Sequence, residues 1–131
     1  MTSPISPEVP LSLPYIDARE IDAVTQVLRS GWLTHGPKTT QFEHMLADYL
    51  GVRHAIAMNS CTSALYAALL AQDIRGEVIL PSFTFVATAN AVVTAGATPV
   101  FADIESDTGN LDPHAVADAV TPRTEAILVV E

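Results

Sequence analysis

The sequence predicts an α/β fold in which helices flank a partial, mixed and mostly parallel sheet. From residue 54 onward, short apolar runs alternate with helical stretches, and such alternation builds a parallel sheet with helices on its faces. Of the 131 residues, 49% are hydrophobic and 16% are charged, a composition that supports a buried core. Because the last apolar run stops one residue before the sequence does, we expect the sheet to be incomplete.

The sequence predicts an extended arm at the N-terminus, followed by a helix that ends at Gly31. Residues 1–16 contain four prolines and neither lysine nor arginine, so they are expected to form an extended arm and not a signal peptide. Asp17 and Glu20 have the spacing of a capping box. Apolar residues then recur on one helical face until Gly31 ends the helix.

A loop and a second helix follow. Two glycines and a proline make regular structure unfavourable in residues 31–37. Thr40 and Glu43 repeat the capping spacing, and a second apolar face extends from there to Gly51. Residues 17–51 are therefore predicted to be an N-terminal helical segment.

Residues 52–131 are predicted to form the α/β domain itself. Its predicted strands are residues 54–58, 77–80, 98–102 and 126–130. Its predicted helices are residues 63–71 and 85–95, with a third that starts at Asp112 and Pro113. In such sheets ligands bind at the carboxyl ends of the strands, so functional residues are expected just after them.

Charge and cysteine content disfavour several classes of function. Fifteen acidic residues against six basic ones give a formal net charge of -9, which disfavours nucleic acid and anionic membranes as partners. Cys61 is the one cysteine, and no cysteine and histidine cluster has zinc-ligand spacing. A reducing, cytoplasmic location without a bound metal is therefore expected. No apolar stretch matches the roughly 20 residues of a membrane span.

Two segments carry candidate binding chemistry. Residues 59–63, Asn-Ser-Cys-Thr-Ser, follow a predicted strand and open a helix. Free N–H groups, the helix dipole and three hydroxyls together suit a phosphate monoester there, although the same hydroxyls suit an ordinary helix cap. Phe85 follows the next predicted strand. It is placed to lie flat on a planar heteroaromatic ligand, and the alternative is a core aromatic residue.

Several segments in one order carry a resemblance to a known family. They are residues 14–16, 30–34, 36–37, 42–43, 49–52, 59–65, 81–88, 96–101 and 121–124. Their sequence resembles that of the DegT/StrS-type sugar-nucleotide aminotransferases. The resemblance implies the N-terminal part of the large domain of a fold type I enzyme that depends on pyridoxal 5'-phosphate. Residues 52–131 would then be an incomplete cofactor-binding domain.

The resemblance also implies an activity and a set of site residues. The enzyme would be a homodimer that exchanges an amino group between glutamate or glutamine and a nucleotide-linked keto sugar, for surface polysaccharides or antibiotics. The residues expected to hold the cofactor phosphate are Ser60, Cys61 and Thr62. Phe85 would stack on the pyridine ring, and Trp32 and Thr34 would help to shape the sugar pocket. Cys61 stands where many relatives have glycine or alanine, and no motif places a histidine beside it for thiol catalysis.

The sequence lacks a suitable catalytic lysine. Transamination requires a lysine that forms a Schiff base and a carboxylate on the pyridine nitrogen. The one lysine, Lys38, follows Gly36 and Pro37 and is expected to be a surface charge. No catalytic residue is assigned, and the isolated chain is expected to be inactive, with weak or absent cofactor binding. The alternative is a non-catalytic module that binds phosphate or cofactor, or that supplies a dimerisation surface.

Overall fold

The structure, a computed structural model, describes residues 12–130. The chain divides into two compact units, with the boundary between Ala57 and Met58. The predicted extended arm, residues 1–16, lies largely outside the described residues. None of the helices within residues 12–130 is long and apolar enough to cross a membrane.

The first unit contains two helices, α1 (Ala18–Ser30) and α2 (Pro37–Leu50). The predicted capping box of α1 is confirmed, because the Asp17 carboxylate accepts from the helix and the Glu20 carboxylate accepts the Asp17 N–H at 2.8 Å. Gly31 ends α1 in the left-handed region, at φ 71°, which glycine adopts without strain.

The predicted start of α2 at Thr40 is wrong. The helix begins at Pro37 with Gly36 as its N-cap, and the Thr40 N–H donates to the Gly36 carbonyl at 3.1 Å. Proline suits the first helical position because its fixed φ is helical and its missing N–H would have had no partner there. The capping spacing of Thr40 and Glu43 therefore falls inside the first turns of a helix that proline has already started.

The second unit is an α/β layer structure. Its elements in chain order are α3 (Cys61–Ala71), β1 (Glu77–Pro81), α4 (Val86–Thr94), β2 (Thr98–Ala102), α5 (Pro113–Ala119) and β3 (Thr124–Ile127). The three strands form one sheet in the order β2-β1-β3, and both pairings are parallel. The predicted α/β fold with a mostly parallel sheet is confirmed.

The core lies on both faces of β1, the central strand. All five residues of β1 are buried, as expected of a parallel strand covered on both faces. On one face Val78 packs with Leu69 of α3 and Val92 of α4. On the other face Ile79 packs with Ala102 and Leu111, next to α5. Side chains alternate between faces along a strand, so one strand anchors both helix layers.

The predicted strand at residues 54–58 is wrong. The structure assigns no strand there, and Ile56 is 76% exposed. A strand needs a neighbour to satisfy its N–H and C=O groups, and within residues 12–130 no strand pairs with residues 54–58. The last strand begins at Thr124, two residues before the predicted position, because Thr124 pairs with Glu77 ahead of a bulge.

Two carboxylates fasten the amino ends of the strands to each other. Glu77 of β1 accepts hydrogen bonds from the Thr121 hydroxyl and from Arg123 Nε, the latter at 2.9 Å. Both interactions hold the pKa of Glu77 below its ordinary value, the Thr121 hydrogen bond contributing most. The Glu125 carboxylate accepts the N–H groups of Gly76 and Arg75 at 2.8 and 2.7 Å, which lowers its pKa also. The opposite, carboxyl ends of the strands are left for the candidate site.

Candidate cofactor site

The amino end of α3 presents hydrogen-bond donors. Ser60 is the N-cap, and its hydroxyl accepts the Ser63 N–H at 3.1 Å and contacts the Ser63 hydroxyl at 3.0 Å. The first N–H groups of a helix have no acceptor within it. The N–H groups of Cys61 and Thr62 are therefore left to bind an outside acceptor, and the helix dipole adds partial positive charge at the same point.

The amino end of α4 presents an aromatic ring. Phe85 is the N-cap residue by its backbone, without a side-chain cap hydrogen bond, and its side chain is 85% exposed. Within the described residues Phe85 is therefore exposed and is not part of the buried core. The hydroxyls of Thr84 and Thr88, which flank the first turn of α4, are hydrogen-bonded to each other at 2.9 Å. The ring is thus carried on an ordered helix start.

These two helix ends border one cavity in the second unit. The cavity has a volume of about 450 Å³, and it brings Cys61 and Thr62 together with Phe85. Its remaining lining residues are Leu65, Thr84, Ala87, Thr88, Leu128, Val129 and Val130. Thr84 and Leu128 follow the ends of β1 and β3, so the cavity lies at the carboxyl edge of the sheet, where ligands bind in open α/β folds.

The sequence did not single out the wall at residues 128–130. Leu128 donates its N–H to the Ile79 carbonyl at 2.8 Å, which fixes this stretch beside β1 after β3 has ended. The sequence predicted these residues as the second half of a strand, 126–130, whereas β3 ends at Ile127. Their place at the carboxyl end of a predicted strand was the signal that could have pointed to them. Ser60 does not line the cavity. It is the N-cap of α3, and in this position it orients the residues that follow it.

The groups that line the cavity suit the binding of a phosphorylated aromatic ligand, but not chemistry on its ring. Two free N–H groups, a threonine hydroxyl and the helix dipole suit a phosphate, and an exposed phenyl ring beside them suits a planar heterocycle. A small Cys61 side chain at the first helical position leaves the backbone accessible. Among the described lining residues there is no lysine and no carboxylate, so groups that would act on the ring of a cofactor are lacking here.

The other two candidate residues lie in the first unit. Trp32 and Thr34 both line a second cavity of about 410 Å³, with Gln26, Ser30 and Lys38 on its wall. Lys38 is an exposed residue in the first turn of α2. Trp32 and Thr34 therefore line one concavity of the first unit.

Within residues 12–130 no group of three or more histidine, cysteine, aspartate or glutamate side chains is arranged to hold a metal ion. The single cysteine, Cys61, is exposed and unpaired with any sulfur. The chemistry that the described cavity offers is therefore binding by N–H groups, hydroxyls and an aromatic face.

Comparison with known proteins gives the family. Residues 14–131 match the DegT/DnrJ/EryC1/StrS aminotransferase family. The chain is 52% identical over 124 residues to the spore coat polysaccharide biosynthesis protein SpsC of Bacillus subtilis, covering 93% of this chain and 32% of SpsC. The chain thus spans about a third of the length of this relative.

Solved structures agree with this assignment. The PLP form of Spr1654 from Streptococcus pneumoniae superposes with a TM-score of 0.85 at 38% identity, covering 91% of this chain and 31% of that one. DesI, solved in the presence of its TDP-sugar product, gives a TM-score of 0.77 at 48% identity, covering 88% of this chain and 30% of that one. Because Spr1654 has been solved in PLP and PMP forms, pyridoxal 5'-phosphate is supported as the cofactor of the family. The chain belongs to the DegT/DnrJ/EryC1/StrS aminotransferase family.

Proposed function

We propose that the chain is the N-terminal portion of a pyridoxal-phosphate-dependent aminotransferase that acts on nucleotide-linked keto sugars, with glutamate or glutamine as amino donor. The observation that carries the proposal is the 450 Å³ cavity in which Cys61, Thr62 and Phe85 meet. SpsC is a spore coat polysaccharide biosynthesis protein and DesI has a TDP-sugar product. SpsC supports a role in surface polysaccharide biosynthesis and DesI supports a nucleotide-linked sugar as ligand, whereas a role in antibiotic biosynthesis is implied only by the resemblance of the sequence to the family.

The phosphate of the cofactor is proposed to bind at the start of α3. The free N–H groups of Cys61 and Thr62 would donate to its oxygens, the Thr62 hydroxyl would add a donor, and Ser60 would hold the turn through its bond to Ser63. A phosphate in this place would also be stabilised by the helix dipole. This local arrangement is needed because the chain as a whole carries a formal charge of -9, which repels anions.

Phe85 is proposed to lie against the ring of the cofactor. Its side chain is 85% exposed and lines the same cavity as Thr62. Stacking of two aromatic rings contributes roughly 0.5 to 1.5 kcal/mol beyond the area it buries. When bound, the cofactor supplies an electron sink for moving the amino group, and Phe85 would fix the plane of the ring.

Trp32 and Thr34 are proposed to shape the pocket for the sugar. Both residues line the 410 Å³ cavity of the first unit, and Trp32 is 56% exposed. An aromatic face with hydroxyl groups beside it suits a sugar ring, which has both apolar and polar faces. The residues proposed for the substrate and for the cofactor thus belong to different units of the chain.

The isolated chain is proposed to lack aminotransferase activity and to bind the cofactor weakly. Its one lysine, Lys38, lines the cavity of the first unit, and the described cofactor cavity has no carboxylate on its wall. The same observation favours a second candidate function, a non-catalytic module that binds the cofactor or another phosphorylated ligand. Turnover of a keto sugar by this chain would exclude the second candidate.

The phosphate site is tested by Thr62→Ala. If the Thr62 hydroxyl donates to a phosphate, its loss should cost about 1.5 to 3 kcal/mol of binding, or roughly 10- to 150-fold in affinity. Equilibrium dialysis with pyridoxal 5'-phosphate and with pyridoxal measures this, and Thr94→Ala, at the exposed far end of α4, is the matched control. An equal loss for both ligands would contradict a phosphate contact.

A further inference from the structure

The indole of Trp32 is folded back onto the loop that carries it. Its Nε1–H donates to the His35 carbonyl at 3.0 Å, and its backbone N–H donates to the Ser30 hydroxyl at 3.2 Å. Trp32 is nevertheless 56% exposed, so little core packing holds the ring. Its orientation therefore depends on these few local contacts.

The ring lies directly over the backbone of Gly36. A methyl carbon on Gly36 would lie 2.6 Å from Cδ1 and 2.7 Å from Nε1 of the indole, much closer than two such atoms approach without overlap. The contact would fall on the atom that donates to His35. Any side chain at this position would therefore push the indole away or break its hydrogen bond.

Neither the backbone conformation nor helix capping requires a glycine at this position, although glycine is tolerated as an N-cap. Gly36 has φ −150° and ψ −168°, an extended conformation open to other residues. It is the N-cap of α2, where serine, threonine, aspartate or asparagine would accept a helix N–H, and α2 has no side-chain cap hydrogen bond. The helix thus lacks a side-chain cap, and the indole of Trp32 occupies the space that a cap side chain would fill.

We propose that Gly36 is a positioning residue that fixes the orientation of Trp32 and thereby the shape of the cavity shared with Thr34. The ring lines both the 410 Å³ cavity and an adjoining open concavity bordered by His44, so its orientation sets the boundary between the two. The consequence for ligand binding rests on the function proposed above for Trp32 and Thr34. The contact itself is a property of the loop and is tested separately.

The test is Gly36→Ser in two backgrounds. Trp32 is the only tryptophan of the chain, so the near-ultraviolet circular dichroism and fluorescence of tryptophan report its setting alone. Gly36→Ser should weaken the dichroism and shift the emission to longer wavelength. It should also lower the melting temperature, whereas in a Trp32→Ala background the new cap should leave it unchanged or raise it.

The orientation of Trp32 would be independent of Gly36 if either of two results were obtained. An unchanged tryptophan spectrum in Gly36→Ser, or the same loss of melting temperature with and without Trp32, would overturn the proposal. Gly36→Ala should give the same spectral change as Gly36→Ser, since both add the methyl carbon that meets the ring.

Ligand binding separates this proposal from the proposed function. With uridine diphosphate glucose as the probe, Gly36→Ser should weaken binding by several fold, and unchanged binding would overturn the link between Gly36 and the cavity. If the unaltered chain does not bind the probe at all, the role proposed for Trp32 and Thr34 in the sugar pocket fails. The spectra then still decide for or against the contact of Gly36 with Trp32.

Discussion

Replacement of Phe85 by leucine separates binding from folding. The side chain is 85% exposed, so in the free chain the replacement should change the free energy of unfolding by no more than about 0.5 kcal/mol, as for other surface substitutions. If the phenyl ring stacks on the cofactor, its loss should weaken binding by around 1 kcal/mol. This corresponds to roughly a fivefold rise in Kd.

The assay is equilibrium dialysis of pyridoxal 5'-phosphate, together with urea unfolding of the free chain. Phe83→Leu is the matched control, because Phe83 is 71% exposed but does not line the cavity that holds Thr62. The cofactor Kd should rise for Phe85→Leu and stay unchanged for Phe83→Leu. A fall in unfolding free energy without a change in Kd would refute the stacking of Phe85.

Glu77 should make the stability of the chain depend on pH, and exposed apolar residues should favour self-association. The pKa of Glu77 is lowered from 4.5 by Thr121 and Arg123, so its stabilising effect is complete above about pH 4.5 and is lost as pH falls through the lowered value. Glu77→Gln should lower the urea concentration at the midpoint of unfolding at pH 7. Below pH 4.5 this midpoint should decrease less steeply with falling pH in the variant than in the unaltered chain. Asp118→Asn, which changes an exposed carboxylate, is the control and should have neither effect. Exposed apolar residues on α1 and α2, such as Val24 and Met45, predict that the isolated chain associates with itself. Sizing chromatography with light scattering should show dimers or larger soluble aggregates, and a compact, cooperatively melting monomer at micromolar concentration would contradict this prediction.

Local chemistry predicted some elements closely. The capping box at Asp17 and the glycine at 31 fixed both ends of α1, because cap residues act on their own turn. The strand Thr98–Ala102 was predicted at its observed bounds. Asp112 and Pro113 likewise marked the start of α5. These features depend on neighbouring residues and so are visible in a sequence.

Elements that depend on distant partners were harder to predict. Residues 54–58 have the composition of a strand, but strand formation depends on pairing with a neighbouring strand, which no local pattern reveals. The start of β3 was displaced because a bulge beside Glu77 sets its register. At the candidate site, the sequence named Cys61, Thr62 and Phe85, whereas their meeting in one cavity with residues 128–130 is a result of the tertiary fold.

The start of α3 is proposed to hold the phosphate of the cofactor. The most direct measurement is a titration of the ¹⁵N-labelled chain with pyridoxal 5'-phosphate, followed by amide chemical shifts. The N–H groups of Cys61 and Thr62, which have no acceptor within the helix, should shift most, and pyridoxal without the phosphate should leave them nearly unchanged. Equal shifts with both ligands, or shifts that leave Cys61 and Thr62 unaffected, would contradict the claim.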